Sequence, residues 1–147
     1  MTDVAAQSRS IVVERTMPHP PSKVWRALTT SALIEDWLMA NDHRAVVGHR
    51  FNFRATPMPG WNGVADCEVL ALDPEKRLVW AWNASGEQAA DGLKTTVTWT
   101  LTPVDGGTHL RMEHAGFRPQ DEMGYQAMGG GWPRIVGGLE RVAGTLN

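Results

Sequence analysis

The sequence has one cysteine, one tyrosine, no basic excess and no long apolar run. Each shortage removes a class of function. Cys67 stands alone, so no internal disulfide can form, and a reducing cytoplasmic setting is expected. A formal net charge of −2 leaves no basic footprint for nucleic acid. No stretch of about 18 apolar residues exists to span a membrane. The opening MTDVAAQSRS carries Asp3 and lacks an apolar run, which argues against a secretory signal. His19, His43, His49, His109 and His114 form no HExxH, and no second cysteine joins them, so no metal site is expected. GGGWP lacks the Lys-Ser/Thr end of a phosphate loop, so neither nucleotide nor any other cofactor is expected.

What remains is a composition suited to one folded core. The 147 residues fit a single domain, placed at residues 10–147 behind a polar N-terminus (1–9) expected to fray. Tryptophan is the abundant aromatic, 7 against 3 Phe and 1 Tyr, and indoles favour pocket walls and interfaces as well as cores.

The hydrophobic pattern begins with a strand, SIVVERTM, that Pro18, Pro20 and Pro21 end. Val24, Trp25 and Leu28, then Leu33, Trp37 and Leu38, mark two short helices, the second capped by Thr30 or Ser31. A run of strands follows. Phe51 and Phe53 share one face of Arg50–Arg54. Val64–Leu72 is a long strand, Trp80 and Trp82 alternate in Leu78–Trp82, and Val97 and Trp99 alternate in Leu93–Leu101. Asp105-Gly106-Gly107 turns the chain into Thr108–Ala115, where Met112 and His114 lie on the apolar face.

The period then changes. Tyr125, Met128, Trp132, Ile135, Leu139, Val142 and Leu146 form one helical stripe whose natural partner is the apolar face of the sheet. Pro133 costs about 3 kcal/mol inside a helix, which predicts a break near Gly129–Gly131 and a main helix from about Trp132. Gly137 and Gly138 suit close approach of another backbone or clearance beside a cavity.

Few side chains offer chemistry. Cys67 lies among Val64, Ala65 and Val69, as a buried inert thiol would, rather than as an activated nucleophile. Asp66 with Glu68, and Arg111 with Glu113, read as solvated cross-strand neighbours. His114 is the polar candidate: it could orient a ligand or act as a general acid/base, or be a core histidine satisfied by a backbone carbonyl.

The pieces PPSKVWRALTTSALIEDW, VGHRFNF, GVADCEVLALDPEKRLVWAW, GGTHLRMEHAGF and the GW before the last helix resemble the Aha-type activators of the heat-shock-protein-90 ATPase. These belong to the START-like polyketide-cyclase and lipid-transport (SRPBCC) superfamily. The resemblance spans about Ser10 to Leu146. It implies an α+β helix-grip fold: a curved antiparallel sheet of six or seven strands wrapped around a long C-terminal helix, with two short helices after strand 1.

It also implies a cavity between sheet and helix. By position, the candidate ligand-binding residues are Phe51, Phe53, Trp80, Trp82, Val97, Trp99, Met112, His114, Met128, Trp132 and Ile135. Three functions follow as expectations. The first is binding of a small hydrophobic or aromatic molecule. The second is a chaperone-associated role in stress response. The third is a cyclase- or hydrolase-like activity using His114. Surplus tryptophan would also suit a homodimer as well as a monomer.

Overall fold

The computed structural model describes residues 8–147. The frayed terminus expected at 1–9 falls largely on residues 1–7, outside the described residues. Arg9 instead opens the first strand, paired with Phe117.

The strands are β1 (Arg9–Met17), β2 (Ala40–Asn41), β3 (Arg50–Arg54), β4 (Val64–Asp73), β5 (Arg77–Ala84), β6 (Lys94–Val104) and β7 (Gly107–Phe117). They form one antiparallel sheet in the order β1-β7-β6-β5-β4-β3-β2. The first strand crosses over to the far edge and pairs with the last, and the remaining strands pair in chain order. Helices α1 (Pro21–Thr29) and α2 (Ser31–Trp37) occupy that crossover, and α3 (Glu122–Gly144) closes the chain. This is the helix-grip fold. No helix among the described residues is long and apolar enough to cross a membrane.

Register decides which side chains meet under α3. Val69, Trp80, Val97, His114 and Ile11 are consecutive partners across β4, β5, β6, β7 and β1. Leu78, Trp99, Met112 and Val13 make the next row. Both rows point inward because alternate strand residues share a face. The opposite face carries Asn52, Asp66 and Glu68, with Asn52 Nδ2 donating to Asp66 (2.6 Å) and Arg50 near Glu68 (3.5 Å). At the β6–β7 turn Gly106 takes φ +79°. A Cβ on Gly107 would stand 1.9 Å from the Met17 carbonyl, so only glycine lets β7 start there.

The C-terminal helix departs from expectation. It runs unbroken from Glu122 to Gly144 with Pro133 inside it, and shows no break at Gly129–Gly131. Pro133 lies on the exposed face, while Trp132, Val136, Leu139 and Val142 are buried. Burying four such side chains, at about 1.5–3 kcal/mol each, is of the size needed to offset the helix-breaking residues. Val136 holds the buried position expected of Ile135, which is half-buried. The α2 face also differs: Ile34 is buried beside Trp37, whereas Leu33 and Leu38 are half-buried.

Of the two readings for Gly138, the structure supports close approach. A Cβ there would lie 3.3 Å from the Cβ of Trp37. At the other end, Gly129 sits over Ile11 of β1.

Candidate functional site

The face between sheet and α3 is an aromatic cluster. Phe51, Phe53, Trp80, Trp82, Val97, Trp99, Met112, His114 and Trp132 are all buried in it, and Met128 and Ile135 are half-buried at its margin. These side chains touch one another. Trp99 has its ring centroid 5.7 Å from Trp80, 5.8 Å from Trp132 and 5.6 Å from Trp37, each pair close to edge-on. Trp82 stacks on Phe53 at 5.0 Å. The space expected as a cavity is therefore occupied by the chain's own rings.

Open concavities among the described residues lie elsewhere. One, of about 440 Å³, is on the outer sheet face by Asp42, Arg50, Asn52, Asp66 and Glu68. Another, of about 450 Å³, is at the loop rim by Met58, Trp61, Asn62 and Gln88. Neither is lined by α3.

Polar groups inside the cluster come as two tryptophan–histidine pairs. Trp132 Nε1–H donates to His114 Nδ1 at 3.1 Å. An indole is only a donor, so His114 Nδ1 must be the unprotonated nitrogen. Its Nε2–H then donates to the Thr95 hydroxyl at 2.8 Å, and that hydroxyl donates to the Trp82 carbonyl at 2.5 Å. The relay fixes one neutral tautomer and leaves neither nitrogen free. Burial lowers the His114 pKa to about 3.

His114 is thus a satisfied core histidine, held by side chains rather than by the backbone carbonyl that the sequence suggested. A general acid/base needs a nitrogen within reach of substrate, and this one has none to offer as it stands.

The second pair was not legible in the sequence. Trp80 Nε1–H donates to His43 Nε2 at 3.2 Å, and His43 Nδ1–H donates to the Thr29 carbonyl at 3.0 Å. His43 sits after β2 in a segment with no hydrophobic period. Its pKa is lowered to about 4, chiefly by burial; the Thr29 carbonyl opposes this and nearby His49 adds to it. The available signal was a donor count: an indole on a buried strand face needs an acceptor, and histidine supplies one.

One fully buried indole donor lacks such a partner. Among the described residues no acceptor reaches the buried Trp99 Nε1. The indoles of Trp37 and Trp61 both find carbonyls, of Ala27 (2.8 Å) and Val64 (3.1 Å).

Other candidates are inert or structural. Burial, with help from Asp66 and Asp42, pushes the Cys67 thiol far up, so the thiolate nucleophile is suppressed. His109 lies on the opposite face of β7 from His114 and meets Glu14 (2.9 Å) and Thr16 (3.2 Å). Arg118 donates to Asp121 through Nε and Nη2, and Nη2 also donates to the Asp91 and Gly92 carbonyls, tying the start of α3 to the loop before β6. Asp121 is held below its usual carboxylate range mainly by that guanidinium.

Comparison with solved structures places this architecture. The protein MLL2253 of Mesorhizobium loti is 49% identical, with a TM-score of 0.85 over 95% of this chain and 99% of that one. BH1534 of Bacillus halodurans is 25% identical, with a TM-score of 0.74 over 92% and 96%. The Aha1 dimer of Colwellia psychrerythraea, 23% identical with a TM-score of 0.72 over 90% and 93%, shares the fold. No protein of curated function matches the chain. The sequence profile of the family described as Activator of Hsp90 ATPase homolog 1-like protein matches residues 18–144. The chain belongs to that Aha1-like family, within the START-like superfamily.

Proposed function

We propose that the chain binds a small, uncharged apolar or aromatic molecule between the sheet and α3. The observation that carries this reading is the pairing of a contiguous aromatic lining with a weak covering helix. Beneath α3, and meeting its own Trp132, lie Trp80, Trp82, Trp99, Phe51 and Phe53, with His43 and His114 held neutral. Above them, eight of the 23 residues of α3 are glycine or proline. Each interior glycine gives up about 1 kcal/mol of helix propensity, and Pro133 about 3. The helix therefore depends on its contact with the lining, and an apolar molecule that replaces part of that contact can displace it at small net cost. The neutral interior favours ligands without charge, because an unpaired buried ion is heavily penalised.

A thermal-shift titration with naphthalene and toluene, read together with tryptophan fluorescence, tests this. A ligand of the folded state alone adds about 2.7 kcal/mol at a hundred times its dissociation constant. A dose-dependent rise in Tm with a change in emission supports the reading, and flat responses to both probes refute it.

A second reading, docking of a protein partner, rests on the family description and on Val46 and Val47, each 59% exposed and adjacent in the β2–β3 loop. The partner would be a chaperone of the heat-shock-protein-90 kind or a second copy of the chain. Replacing both valines with serine would weaken such docking and leave the thermal-shift response intact.

A further inference from the structure

Trp99 occupies the centre of the aromatic cluster with its Nε1–H unmatched. An unpaired buried donor is a standing cost that a purely apolar ring would not carry. The acceptors that could have served are engaged elsewhere. His43 is used by Trp80 and Thr29, and His114 by Trp132 and Thr95. The strand carbonyls on either side belong to the sheet ladder. Its ring neighbours Trp37, Trp80 and Trp132 meet it edge to face and present no lone pair to it.

Resting on the ligand-binding reading above, we infer that the ligand is a neutral apolar molecule carrying one hydrogen-bond acceptor, a carbonyl or ether oxygen, that takes the Trp99 Nε1–H. A carboxylate is disfavoured because, among the described residues, no buried cation lies in the cluster to pair with it. A primary amine or alcohol offers a donor, and the histidine nitrogens that could accept from it are already paired. The site thus selects among apolar molecules by one donor, and a site built to hydrogen-bond a ligand discriminates against the analogue that lacks the matching group.

The test compares acetophenone with ethylbenzene, two molecules of nearly equal shape that differ in the carbonyl. Affinities come from calorimetry on the full chain, and the Trp99 indole proton is followed by NMR. The expected result is about tenfold tighter binding of acetophenone. The Trp99 resonance moves downfield with acetophenone and stays in place with ethylbenzene. In Trp99→Phe the affinity ratio falls to one or below. If that variant does not fold, the indole resonance of the unaltered protein decides alone. Equal affinity for the two molecules with an unmoved Trp99 resonance overturns the acceptor inference and leaves the ligand-binding reading standing. Failure of both molecules to bind overturns both.

Discussion

Lowering the pH from 6.5 to 5 costs the folded chain about 3 kcal/mol through its two buried tryptophan–histidine pairs. His43 and His114 have folded pKa values of about 4 and about 3, against 6.5 when free in the unfolded chain. A lowered folded pKa means that the unfolded state takes up protons first. Stability is then fully present above pH 6.5 and is lost as the pH falls toward the folded values. The slope for each group is half of its limit at pH 6.5, where the free imidazole is half protonated, and nears about 1.4 kcal/mol per pH unit below pH 6, so the two together lose about 3 kcal/mol by pH 5. Both side chains are almost fully buried, 4% exposed for His43 and 0% for His114, so solvent screening removes little of this. Asp121, the buried carboxylate, has a pKa below its ordinary 3.8 and titrates beneath the window. The assay is urea unfolding at half-unit pH steps. The slope of unfolding free energy against pH corresponds to nearly two protons between pH 6 and 5. In His114→Gln it drops to nearly one. A slope near zero in the unaltered protein would refute the assignment of two buried neutral histidines.

The same geometry makes further predictions. Trp132→Phe strips His114 Nδ1 of its donor and destabilises by about 1–3 kcal/mol for that bond alone, read as a lower urea midpoint. Gly130→Ala meets open space on the exposed side of α3 and raises stability by up to about 1 kcal/mol, seen as a higher Tm. Gly138→Ala places its Cβ 3.3 Å from that of Trp37 and forfeits that gain. Cys67 reacts with a thiol reagent only as fast as the chain opens, so its labelling rate follows the unfolding rate across a denaturant series.

Strand alternation made the inward face legible, because a single register places Trp80, Val97, Trp99, Met112 and His114 on one side. Three features were not legible, each for a physical reason. The β2 strand has only Ala40 and Asn41, too short for any period. The continuity of α3 through Pro133 comes from tertiary burial, which local propensity does not contain. The pairing of His43 with Trp80 joins residues 37 positions apart through side-chain nitrogens, and hydrophobic patterning is blind to such a bond. For the same reason the unmatched buried donor at Trp99 emerges only from the three-dimensional surroundings of its indole.

The proposed function turns on an apolar molecule entering between the sheet and α3. Intermolecular NOEs between bound benzene and the protein test it most directly. Contacts from benzene protons to the indoles of Trp99 and Trp132 and the methyl of Met112 are predicted. Contacts confined to Met58 and Trp61 at the loop rim, or no contacts at saturating benzene, would contradict it.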